Sequence, residues 1–238
     1  LALTSVGCST GPAASAPTGP RPVTVFAAAS LTAAFTEIAE LAPSLDVTLN
    51  FDGSPTLVDQ ITSGAPADVL ATADEASMQR ATEAAIVAPD PTIFATNSGV
   101  LIVPKGNPAQ VSGVDGSLDG TKLVVCARAV PCGATAHKIA EAAGVTLKPV
   151  SEEQKVTDVR GKVSSGEADA GIVFATDAQA AGDAVETIAV DPEKRFAARY
   201  PMTIVTEAKN PAAARAFIDL VLSEEGQAVL ATHGFGAP

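Results

Sequence analysis

The sequence predicts an α/β protein made of two sheet-and-helix units that flank a cleft. Three observations predict it. From residue 23 onward short apolar runs alternate with stretches of helical periodicity, the pattern of parallel strands covered by helices. The alternation starts again in the middle of the chain, which implies a second unit of the same kind. The chain has 238 residues and is 47% hydrophobic, enough to bury a substantial core.

The elements follow in order. Residues 23–29 form an apolar run that reads as a strand. Residues 31–42 place Leu31, Ala34, Phe35, Ile38 and Leu41 on one helical face. Residues 47–51 read as the second strand, 55–63 as a helix, 68–73 as a strand and 75–84 as a helix. In the middle, 100–104, 123–127 and 171–174 are strand candidates, and helices are expected at 134–143 and 158–165. A late strand at 203–206 and two helices, 211–222 and 224–232, complete the chain. Ligands of such folds bind beyond the C-terminal ends of the strands, which directs attention to the strand-to-helix junctions.

Charge and composition narrow the ligand. A net charge of -12 gives a field that repels nucleic acid and anionic lipid heads. With no Trp and one Tyr the chain has few flat rings on which bases or sugars could stack. An anionic ligand would therefore have to be held by local donors and not by a basic surface.

Four junctions offer such donors. In Ala27-Ala28-Ala29-Ser30-Leu31-Thr32 the strand ends in small residues and Ser30 stands where an N-cap belongs. In Asp52-Gly53-Ser54-Pro55, Ser54 is a good N-cap and Pro55 fits the first helical position. Each serine reads either as a plain cap or as an anion contact; two such junctions on neighbouring parallel strands favour convergence on one anion. The third is Val130-Pro131-Cys132-Gly133. The fourth is Thr157-Asp158-Val159-Arg160-Gly161, where Thr157 or Asp158 would cap the helix and Asp158 with Arg160 reads as a structural ion pair.

Catalysis finds little support. Ser30 and Ser54 follow strands as a hydrolase nucleophile does, but the Gly-x-Ser-x-Gly elbow is missing. Neither His137 nor His233 has a neighbour that would orient it as a base, and neither has metal-ligand spacing. No glycine-rich nucleotide loop is present. The chain is read as a binding protein without cofactor, not an enzyme.

The first residues, ending in Gly7-Cys8-Ser9, look like the tail of an export signal at a lipid-attachment cysteine, with a free thiol as the alternative. Residues 1–21 then comprise this remnant and a flexible tether, and the protein would sit outside the cytoplasmic membrane on a lipid anchor. In an exported protein Cys126 and Cys132 are expected to form a disulfide that fixes loop shape.

Taken together, Val23-Thr24-Val25-Phe26-Ala27-Ala28-Ala29-Ser30-Leu31-Thr32, Gly64-Ala65-Pro66-Ala67-Asp68-Val69, Asp158-Val159-Arg160-Gly161 and Gly171-Ile172-Val173 closely resemble the periplasmic molybdate-binding proteins of ABC importers. The resemblance implies a two-lobed type II binding-protein fold with two crossover strands. One lobe would hold 22–98 plus 201–238 and the other 99–200, with crossings near 97–99 and 199–201. It implies molybdate or tungstate as ligand, an ABC permease with its ATPase as partner, and a monomer. The oxyanion contacts implied are the hydroxyl and amide of Ser30 and of Ser54, and the amides of Cys132 and Val159. Where relatives carry a tyrosine after Gly-Ile-Val, this chain has Phe174, which can wall the pocket but cannot donate. A sulfate-binding protein is the alternative within the family, and an exported serine hydrolase the alternative outside it. A pocket of neutral donors would hold a permanent dianion without Lys or Arg and would reject hydrogenphosphate, whose proton finds no acceptor.

Overall fold

The computed structural model of the chain describes residues 19–191 and 196–238. Cys8 and nearly all of the tether lie outside the described residues. The first unit runs β1 (Arg21–Ala28), a 3-10 turn (Ala29–Leu31), α1 (Thr32–Glu40), β2 (Leu45–Asp52), α2 (Ser54–Thr62), β3 (Val69–Ala71) and α3 (Glu75–Glu83). β1 lies between β2 and β3, parallel to both. The apolar face read from the sequence packs α1 on this sheet through Ala34, Phe35 and Ile38, whereas Leu41 ends the helix and is 41% exposed.

The next strand, β4 (Thr92–Pro104), is thirteen residues long and starts eight residues earlier than the sequence suggests. It pairs with the antiparallel β9 (Ala197–Ile204) from Thr92 to Ser98. From Gly99 onward it pairs instead with β7 (Ala170–Phe174) and β8 (Val185–Ile188). β5 (Leu123–Cys126) and β6 (Ser151–Glu153) extend this second part in parallel with β7. Strand order is β2-β1-β3-β9-β4-β7-β5-β6, with β8 attached to β4. The result is a two-lobed α/β architecture whose lobes share β4.

The second unit's helices are α4 (Pro131–Ala143), α5 (Val156–Ser164) and α6 (Ala175–Ala181), and α7 (Pro211–Leu222) and α8 (Glu224–Thr232) return to the first unit. The short β6, β8 and α6 are absent from the sequence reading. β6 is only three residues long and none of them is buried, so it has no apolar signature.

Two motifs prove structural. Asp68 is buried, and its carboxylate accepts from the Thr24 amide at 2.8 Å and the Asn210 amide at 2.9 Å, tying β1 to the start of α7. Gly171 lets α5 lie close on β7, because a Cβ there would stand 2.8 Å from the Val159 side chain. The chain's single tyrosine, Tyr200 on β9, is fully buried and makes ring contacts with Phe94, Phe174 and Phe235 at centroid distances of 5.4–6.2 Å. It therefore sits at the junction of the lobes.

Candidate functional site

A small pocket of about 210 Å³ lies where the two units meet. Its wall is built from strand ends and helix beginnings: Ala28 and Asp52 end β1 and β2, Ser30 lies in the turn before α1, Ser54 starts α2, and Phe174 ends β7. From the second unit come Pro131 and Cys132 at the start of α4, and Lys155 and Val156 at the start of α5. The first-turn amides of a helix have no acceptor within it, so such ends point unsatisfied donors and the positive end of the macrodipole at the same space. Convergence of four such ends on a cavity is an anion-binding arrangement.

Ser30 and Ser54 do meet here, though neither acts as the N-cap that the sequence suggested. Ser30 is the middle residue of the 3-10 turn, and its hydroxyl lies 2.9 Å from the Tyr200 hydroxyl. Ser54 is the first residue of α2, with Gly53 as its cap and Pro55 following. Its Oγ accepts from the Ala73 amide at 3.0 Å, so its own hydrogen remains free to donate. Ser54 is 1% exposed, which leaves no bulk water to receive that hydrogen.

Cys132 also lines the pocket, and it is joined to Cys126 by a disulfide across the β5–α4 loop. Phe174 forms part of the wall, packed edge-on to Tyr200. Val159 is the correction. It is the fourth residue of α5, fully buried against Gly171, and does not line the pocket. At that position the N–H meets the carbonyl of the N-cap residue within the helix. Val156, one turn earlier, stands at the pocket instead. The sequence reading misplaced the helix start because Thr157 and Asp158 look like caps, whereas the N-cap is Lys155, which makes no side-chain cap bond.

Lys155 borders the pocket as well, which the expectation of a wall free of cationic residues missed. It is a single cation with Asp52 also on the wall, not a converging clamp. Asp52 Oδ1 accepts from the Gly53 amide at 2.8 Å. Arg160 points elsewhere: its partner is Asp177 at 3.8 Å, not Asp158. Asp177 is fully buried, and its Oδ2 has no partner. Burial pushes its pKa up to about 7, against the opposing pull of Arg160 and of the Phe174 amide. No histidine lines the pocket; His233 lies at the end of α8, hydrogen-bonded to Glu37 at 2.8 Å. A serine nucleophile would have no histidine base here.

Residues 23–236 match the family model for bacterial extracellular solute-binding proteins. The chain is 40% identical to the molybdate-binding protein ModA of Mycobacterium tuberculosis, over 98% of this chain and 93% of that protein. It is 33% identical to the molybdate-binding protein ModA of Escherichia coli, over 90% of this chain and 88% of that one. Among solved structures, the periplasmic molybdate-binding protein of Azotobacter vinelandii superposes with a TM-score of 0.81 at 19% identity, covering 91% of this chain and 99% of that one.

Proposed function

The chain belongs to the bacterial extracellular solute-binding proteins, and on that premise we propose that it captures molybdate or tungstate for an ABC importer. It is a binding protein and not an enzyme, as are the curated relatives it resembles at 40% identity. The observation that carries the ligand reading is the meeting of Ser30 and Ser54 with the starts of α4 and α5 in one small pocket. The oxyanion is held by the hydroxyls and amides of Ser30 and Ser54 and by the amides of Cys132 and Val156. Val156 takes the place first given to Val159, and Phe174 closes the wall. Charge-assisted bonds from amides and hydroxyls are the stronger kind, so a dianion is held without a cationic clamp.

In the same reading one lobe comprises 22–98 and 201–238 and the other 99–200, closing over the ligand by bending of β4 and β9. The permease and its ATPase respond to the closed monomer, and Cys8 carries the lipid that keeps the protein at the outer face of the membrane. The pairing change of β4 between Ser98 and Gly99 supports the lobe boundary.

Thermal unfolding and calorimetry with molybdate, tungstate, sulfate and phosphate test the proposal. Molybdate or tungstate at a hundred times Kd should add about 2.7 kcal/mol of stability, and phosphate should add little. Absence of both heat and stabilisation with molybdate and tungstate would end the proposal. Sulfate bound as tightly as molybdate would reassign the ligand.

A further inference from the structure

We propose that Tyr200 is a positioning residue of this pocket: with Asn97 it fixes the direction of the Ser30 hydroxyl, so that the Ser30 hydrogen is kept for the ligand. The inference rests on the oxyanion reading above. It follows from counting donors and acceptors along a buried chain.

The chain begins at Asn97 on β4. The Ser98 amide donates to Asn97 Oδ1 at 2.9 Å, which assigns the oxygen of that side chain and turns its NH2 group the other way. The NH2 group lies 2.9 Å from Thr176 Oγ1 and 3.3 Å from the Tyr200 hydroxyl. An amide nitrogen only donates, so the Tyr200 oxygen is an acceptor in that contact. The remaining hydrogen of Tyr200 has the Ser30 Oγ at 2.9 Å, and Tyr200 is 0% exposed, beyond the reach of bulk water. Were the direction reversed, with Ser30 donating to Tyr200, the phenol hydrogen would be buried without an acceptor, a costly state. Tyr200 therefore donates to Ser30, and the Ser30 hydrogen is left for the pocket.

Ser54 reaches the same polarity by a different route, since its oxygen already accepts from the Ala73 amide. Both hydroxyls thus present hydrogen to the pocket, each with one lone pair already engaged. A fully deprotonated tetrahedral oxyanion can accept from both. A protonated one, such as hydrogenphosphate, brings a donor that meets donors. The carboxylate on the pocket wall belongs to Asp52, whose Oδ1 accepts from the Gly53 amide; it is the acceptor that a ligand proton would have to reach in place of either serine. Without the tyrosine hydroxyl, Ser30 could turn and accept a ligand proton. Tyr200 thereby acts on selectivity without touching the ligand, since it is not part of the pocket wall.

The test is a double-mutant cycle on the whole chain with Tyr200→Phe and Ser30→Ala, titrated with molybdate and competed with phosphate. Wild-type protein that binds no molybdate would remove the functional reading itself, before any variant is made. Given wild-type binding, Tyr200→Phe should raise the molybdate Kd about three- to tenfold, the worth of one ordinary hydrogen bond. It should also lower the ratio of phosphate Kd to molybdate Kd, and cost nothing further once Ser30 is alanine. An unchanged ratio, or the same loss with and without the Ser30 hydroxyl, would overturn the inference and mark Tyr200 as structural only. If Tyr200→Phe loses its cooperative unfolding transition, Asn97→Ala takes its place in the cycle. It keeps the phenol, frees the phenol oxygen from its fixed donor, and carries the same two expectations.

Discussion

Gly53 stands where the lobes come together, and replacing it with alanine should impair ligand capture while leaving each lobe intact. Its backbone has φ -62° and ψ 138°, a conformation open to any residue, so the glycine is not needed for its dihedrals. It is needed for space. A Cβ built at Gly53 would lie 2.1 Å from the carbonyl oxygen of Gln154, which belongs to the other lobe, and real Cβ atoms essentially never come within 3.0 Å of a neighbour. The lobes must separate locally by the difference between these two distances, 0.9 Å, for the methyl to fit. Overpacking of this kind costs about 1–3 kcal/mol, and under the lobe closure proposed above the cost falls on the closed form. The Kd for molybdate should rise by roughly five- to 150-fold. The ligand-free protein should keep its Tm or gain slightly, because alanine restricts the unfolded chain by about 0.4–1 kcal/mol more than glycine. Calorimetric titration and thermal unfolding of the same two samples separate these effects. Wild-type affinity in Gly53→Ala, or a ligand-free Tm that falls in step with the affinity, would refute the argument that this glycine is a closure contact.

Two further substitutions probe the site and its surroundings. Val156→Pro removes a single N–H at the first position of α5, where proline is tolerated and where the extended Lys155 before it suits a proline. It should weaken molybdate binding about tenfold or more, the worth of a hydrogen bond to a charged group, with helix content by circular dichroism unchanged; undiminished affinity would remove Val156 from the contact set. Asp177→Asn addresses the buried carboxyl whose folded pKa, about 7, lies above its ordinary 3.8. The folded protein keeps that proton between these values while the unfolded chain gives it up, so stability falls as pH rises through the window and the loss is complete above it. The variant should match wild type in urea unfolding near about pH 4 and exceed it near about pH 8, by on the order of 4 kcal/mol at most. An equal difference at both pH values would show that Asp177 is not held protonated.

Much of the frame was legible because it is local. Alternating apolar runs and helical faces marked β1, α1, β2, α2 and α3 to within a few residues, since burial of one side imposes its period on the sequence. The small residues at Ala27, Ala28 and Ala29 and the serines at 30 and 54 signalled where helix ends open onto strand ends, and all of these but Ala27 line the pocket. The cysteine spacing indicated a bridged loop, and Cys126 and Cys132 are joined. Local rules failed where local signals conflict. Thr157 and Asp158 resemble caps, so the start of α5 was set too late and the amide was assigned to Val159, although Lys155 ends the strand-like segment and Val156 faces the cavity.

By itself, then, the sequence determined the α/β class and the presence of donor-bearing junctions, because each depends on residues within a few positions of one another. Only the tertiary structure decided which junctions converge, that Gly53 abuts Gln154, and that Tyr200 reaches Ser30 from 170 positions away in the chain. Those contacts arise from strand pairing and from the packing of one unit on the other. Their partners are distant along the chain and leave no periodic trace in it.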